Sequence, residues 1–239
     1  MRMDWKSVRV ALVVVAVLGA GVAWRLYQQW RPMDYDRMVA AMSASRPTTG
    51  MERYLRHWAL ATKAHPEIRQ WFDATPTMTQ VERDQVSKQK TRDGMNRLSD
   101  KDLVDRMELL SQMVEKLGVK DCAAFGRGGI NPEVLGRMFN LMDDASLQRF
   151  SGIVVNAMAA DLRQSPPARK ALQEDVEQAF MEMGTHLTQE DAQRMADNLQ
   201  DMASLPDDEA CWTARLLYRE GSELKGRNRR NLALALING

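Results

Sequence analysis

Cys122 and Cys211 are the whole thiol inventory of the chain and stand 89 positions apart. No CxxC occurs, and the three histidines (His57, His65 and His186) are not spaced with the cysteines as a zinc site would require. Two readings are open, a pair of buried free thiols or one disulfide. An export-type leader would favour the disulfide, because oxidising compartments allow it to persist. The bridge would staple an early helix to a late one.

Other residues with chemical potential are scattered. Gly126-Arg127-Gly128-Gly129 is the glycine-rich loop. Such loops cradle phosphate where they follow a strand and open a helix. Here a short helix precedes the loop and no Walker-type lysine follows, so a flexible link beside Cys122 is expected, with Arg127 as a candidate partner contact. Glu182 and His186 are four apart, but Gly184 and the start signal at Thr188 put them at a helix end, as a surface pair. His57 is expected at a packing edge beside Trp58, and His65 in a turn before Pro66. Lys225-Gly226-Arg227-Asn228-Arg229-Arg230 is a basic run. It reads as a solvated helix start, yet its cations lie at the unfavourable end of a helix dipole. Arg227, Arg229 and Arg230 are therefore candidate contacts to an acidic partner or to lipid headgroups.

No GxSxG, HExxH, SxxK or DxDxDG element is present. The expectation is a protein that is not an enzyme and holds no cofactor and no metal. A carboxylate pair without local pattern is the one catalytic device the sequence leaves open. Of the seventeen methionines, Met95, Met107, Met113, Met138, Met142, Met158, Met181, Met183, Met195 and Met202 fall mostly on apolar helix faces. Core filling is the plain reading, and an adaptable groove for a partner helix is the sharper one.

The elements that must position these residues are helical throughout. Asp34–Ala44 reads as a short amphipathic helix. Met51 to about Ala64 carries an apolar stripe of Tyr54, Leu55, Trp58, Leu60 and Ala61. A further turn bears Ile68, Trp71 and Phe72. Thr79-Gln80-Val81-Glu82 is a capping box that opens a helix over 80–98. This helix is poor in apolar residues and is expected to be a solvated connector or the least well packed element. Ser99-x-x-Asp102, Asn131-Pro132-Glu133, Met142-Asp143-Asp144, Thr188-x-x-Asp191 and Pro206-x-x-Glu209 each signal a helix start. They give helices near 100–117, 132–141, 144–163, 167–184, 189–203, 207–221 and 226–237, with Gly118 and Gly221 as stops. Stripes at helical spacing run through them, such as Leu103, Met107, Leu110, Val114 and Leu117. No sustained period-two alternation occurs. The expected body is an all-α array or bundle of short-linked helices.

Val10–Trp24 is a run of fifteen residues without a charge, closed by Arg9 and Arg25. Trp5, Trp24, Tyr27 and Trp30 flank it, as rings at a membrane interface do. A helix from about Val8 to Tyr27 would span roughly 30 Å. An N-terminal transmembrane anchor is the leading reading. A cleaved signal peptide ending at Gly21-Val22-Ala23 is the second, and a buried soluble helix is the third. Residues 1–31 carry five cations against Asp4, a net +4, so the remainder is about −3. A basic leader on a mildly acidic body suits an inner membrane and argues against nucleic acid as partner. Flanking cations tie between the two sides, and the cysteines favour a periplasmic body. The organisation expected is an anchor over 1–31, a helical juxtamembrane connector over 32–97 and a disulfide-stapled helical domain over 98–239.

Cys122-Ala123-Ala124 after a leucine-rich helix, and Cys211-Trp212 followed by Arg215-Leu216-Leu217-Tyr218, resemble single-pass, all-helical envelope proteins of Gram-negative bacteria. The resemblance covers about residues 98–237. It implies a protein-binding or immunity role, since some such proteins are thought to sit near secretion-system genes. A membrane-tethered domain that binds another protein is thus the functional expectation. A bitopic scaffold subunit of an envelope complex is the alternative, and an envelope enzyme the third.

Overall fold

A computed structural model describes residues 34–128 and 132–237. The segment read as an anchor or signal peptide, with Trp5, Trp24, Tyr27 and Trp30, lies outside the described residues, as does Gly129. Among the described residues the fold is all-α, with twelve helices. No helix among them is long and apolar enough to cross a membrane.

The helices are α1 (Tyr35–Ala44), α2 (Gly50–Thr62), α3 (Pro66–Asp73), α4 (Gln80–Met95), α5 (Asp100–Lys116) and α6 (Val119–Gly126). They continue as α7 (Pro132–Leu141), α8 (Asp144–Arg163), α9 (Gln173–Gly184), α10 (Gln189–Gln200), α11 (Asp207–Glu223) and α12 (Gly226–Ala235). Their starts follow from side chains that accept hydrogen bonds from orphan backbone amides. Thr79 and Glu82 form a reciprocal capping box, as do Thr49 and Glu52. Ser99, Asp143 and Thr188 cap α5, α8 and α10 by accepting from the Asp102, Ser146 and Asp191 amides.

Two apolar clusters meet on α8. Its Leu147, Ile153 and Ala157 join the larger cluster, built mainly from α5, α6, α7, α11 and α12. Its Val155, Met158 and Ala159 join the smaller one, with Tyr35, Met38, Val39, Ala59, Ile68 and Phe72 of α1–α3. α8 is thus buried on two sides and serves as the central post of the array.

Several expectations are corrected. The helix expected over 80–98 is α4, which buries no apolar side chain among its described residues, in line with its composition, yet it is no loose connector, for it lies close along α8. Few apolar residues suffice because Gly94 lets the backbones touch, and because Lys90 and Arg97 reach the buried carboxylate of Asp161 on α8 at 3.0 and 3.7 Å. The helix expected from 167 begins only at Gln173. Proline suits the first turn of a helix, so Pro166 and Pro167 do not by themselves keep 168–172 out of α9. The strap they form is held by Arg97, which donates to the Pro166 carbonyl and to Gln164 Oε1, and by Arg169, which donates to Leu98 O and Asp100.

Of the two glycine stops, Gly118 does follow the end of α5, in extended backbone, and Gly221 does not end its helix. Gly118 caps the start of α6 after α5 has ended at Lys116. Gly221 lies buried within α11, where a β-carbon would sit 2.7 Å from Leu232 Cδ2, so its role is close packing against α12. On α2, Leu55 and Leu60 face outward, while Ala59 supplies the fully buried contact. Met107, Met138, Met158 and Met183 are buried as expected, but Met181 is exposed on α9.

Candidate partner-binding groove

The cysteines form a disulfide, Cys122 to Cys211, that joins α6 to α11. Both residues are buried, and the helices pack along their lengths. In the chain-entropy description a loop of this size contributes about 4 kcal/mol to stability. Phe125 on α6 and Tyr218 on α11 extend the contact with ring centroids 5.2 Å apart. Burial pushes the Tyr218 phenol above its ordinary pKa.

Beside the bridge an open groove of about 300 Å³ runs along α11. Cys211, Trp212 and Leu216 give it an apolar floor, Val119 an exposed apolar wall, and Glu115, Asp208, Arg215 and Arg219 a charged border. Its shape is fixed by bonds from both neighbours. Arg215 donates to the Val114 and Leu117 carbonyls at the end of α5, where the Val114 carbonyl also accepts from the Leu117 amide. Arg194 of α10 lies 4.1 Å from the centroid of the Trp212 ring and makes two hydrogen bonds to Glu209, at 2.9 and 2.5 Å. That pairing holds the Glu209 carboxyl below its usual range, helped by Asn198. The indole is therefore presented in one orientation, stacked on a guanidinium that is itself tied down. The groove thus offers apolar contact from its floor, an indole face and charges of both signs at its border.

The other residues singled out in the sequence are dispersed. Arg127 is no free loop cation. It donates to the Leu205 carbonyl and pairs with Asp207 at 2.7 Å, so it pins the start of α11 to the end of α6. The basic run is not simply solvated either. Arg227 pairs with Asp175 at 2.7 Å, Arg230 with Asp100 at 3.2 Å, and Arg229 with Glu108. Acidic residues on α9 and α5 thus offset cations at the unfavourable end of α12. Glu182 and His186 do not pair with each other. Glu182 accepts from Asn228 at 2.5 Å, and His186 lies 3.9 Å from Glu220. His57 contacts Asp144 at 3.0 Å, and His65 contacts Glu67 at 3.3 Å. Among the described residues no group of three or more His, Cys, Asp or Glu is placed to hold a metal ion.

Sequence reasoning singled out the Cys211-Trp212 word and Arg215 but missed Glu115, Val119, Arg194, Asp208 and Arg219 as neighbours. Asp208 and Arg219 stand at i−4 and i+7 from Trp212 on α11, a helical spacing that could have found them, whereas Glu115, Val119 and Arg194 come from three other helices. An arginine and a glutamate fifteen positions apart on separate helices give no periodic signal. Compared with known protein families, with curated proteins and with solved structures, the chain matches none.

Proposed function

We propose that this protein is a single-pass, inner-membrane-tethered helical domain that binds another protein in the periplasm, in an immunity or inhibitor-type role. The observation that carries the reading is the groove beside the disulfide. Its apolar floor, guanidinium-stacked tryptophan and charged border are the chemistry that concentrates binding energy at protein interfaces. The uncharged Val10–Trp24 run supports the tether. The disulfide supports a body in an oxidising compartment.

The test has two arms. Whole cells are treated with a maleimide mass tag with and without prior reduction, which reads the compartment through Cys122 and Cys211. The full chain is then used for affinity capture beside Trp212→Ala and Arg194→Ala variants. A captured protein that both variants lose supports the reading, and capture unaffected by either one removes the groove from it.

A second reading is a bitopic scaffold subunit of an envelope complex. Gly19-Ala20-Gly21 favours it, since small residues permit close approach of membrane helices. Replacing the anchor by an unrelated one abolishes function on this reading and leaves it intact on the first.

A further inference from the structure

Charge is divided unevenly along the body. Residues 34–98, which carry α1–α4, hold eleven cations against eight carboxylates, a net +3. Residues 99–239 hold seventeen against twenty-three, a net −6. Local structure sharpens the contrast. In the first lobe Asp34, Glu52 and Glu82 are engaged as helix-start acceptors, Asp36 and Asp73 are paired with Arg69, and Glu67 with Arg163. Six of its cations, Arg37, Arg46, Arg56, Lys63, Lys88 and Arg92, are exposed and make no ion pair or hydrogen bond among the described residues, although Arg56 lies near enough to Asp144 to help lower its pKa. In the second lobe most arginines are tied to acids, as Arg127, Arg227, Arg229 and Arg230 are.

The free cations are interleaved with exposed apolar side chains. Arg56 and Leu60 of α2 and Lys63 at its C-cap stand at i, i+4 and i+7, with Leu55 at the edge of that face. Val81, Lys88 and Arg92 share a face of α4, where Val81 is 66% exposed. Aliphatic groups among unpaired cations match a lipid headgroup layer, into which lysine and arginine stems extend while their charges meet phosphate. The lobe also follows directly on residues 1–33, so a tether there holds it, and not the acidic lobe, next to the bilayer.

We infer that the α1–α4 lobe docks on an anionic phospholipid surface through these unpaired cations, with the acidic lobe and its groove turned away from the bilayer. The inference rests on the tethered reading above and adds an orientation to it. Each cation near such a surface is worth about fivefold in the docked-to-undocked ratio. Removing two should lower that ratio on the order of 25-fold.

The full chain is reconstituted in vesicles of phosphatidylcholine, alone or with phosphatidylglycerol, with its disulfide intact. A nitroxide is placed at Ala64→Cys in the turn after α2, Gln85→Cys on α4 or Asp197→Cys on α10. Docking predicts that labels at 64 or 85 gain collisions with oxygen and lose them with a water-soluble nickel chelate only in the anionic vesicles. The shift should disappear in Arg56→Gln/Lys63→Gln, or in Lys88→Gln/Arg92→Gln if α4 is the face in contact. The label at 197 should report water in both lipids. Labels at 64 and 85 that are equally wet in both vesicles overturn the inference, as does a shift at 197 alone. Alkaline extraction reads the tether separately. A chain extracted from neutral vesicles that still binds anionic ones through these cations keeps the docking surface and loses the anchor.

Discussion

Gly94 of α4 lies so close to Ala157 of α8 that a β-carbon on it would stand 1.8 Å from the Ala157 carbonyl oxygen. No side-chain rotation relieves a clash with backbone, so the helices would have to separate. Gly94→Ala should destabilise the fold by about 2 kcal/mol or more, although alanine is the better helix former. Denaturant unfolding reads the change. An unchanged midpoint would mean that the helices are farther apart than this contact requires.

The same interface contains the buried Asp161, whose carboxylate meets Lys90 and Arg97. Asp161→Ala leaves two cations facing an interior without their counter-charge and should cost about 3 kcal/mol. Lys90→Met removes one partner that is one-third exposed and should cost less. The ordering of the two midpoints is the check, and equal effects would remove Asp161 as the centre of the network.

Most helices were legible because their signals are local. Capping boxes, proline at a first turn and stripes at helical spacing each depend on a few adjacent residues. The 167–184 expectation failed because the strap at 164–172 is stabilised by Arg97 and by bonds to Asn96, Leu98 and Asp100, distant in sequence. Gly221 was misread as a stop for a related reason. A glycine that admits Leu232 of a neighbouring helix has the same letter as one that ends its own. The groove was the least legible feature. The Trp212 and Arg215 words carried the resemblance, but Arg194, Val119 and Glu115 reach them only through tertiary packing.

Cys122 and Cys211 close a long loop, and their bond constrains the unfolded chain more than the folded one. Reduction, or Cys122→Ser with Cys211→Ser, should lower stability by about 4 kcal/mol while preserving the helical spectrum at low temperature. Circular dichroism against denaturant, with and without reductant, tests this. A midpoint indifferent to reductant would show that packing of α6 on α11 alone holds that corner.

Acid should destabilise the protein through its exposed carboxylates. Backbone amides at Thr48 and Thr79 hold Glu52 and Glu82 below their ordinary pKa, and the Ser146 amide does so for Asp143. Hydrogen bonds from Arg137, His57 and Arg194 do the same for Asp121, Asp144 and Glu209. A carboxyl with a lowered folded-state pKa contributes stability that is complete above the unfolded value, about 4. That contribution is lost as the pH falls through the folded values. Unfolding midpoints should therefore be flat on this account from neutral pH to about 5 and fall below it. Thr79→Ala should shrink the acid-sensitive part, because Glu82 loses a partner.

Met181 and Met183 stand two positions apart on α9 and meet opposite surroundings, the first 65% exposed and the second fully buried. A thioether oxidises at a rate set largely by access, and the sulfoxide is polar. Dilute peroxide should convert Met181 well before Met183, Met107, Met138 or Met158, with no loss of helix at that stage. Peptide mass spectrometry orders the sites. Oxidation of the buried methionines should begin only when the fold opens, so their conversion should track unfolding in denaturant while that of Met181 does not. Early conversion of Met183 would mean that α9 opens locally from the Leu224 and Leu232 side of the core, since α9 is held there chiefly by α12.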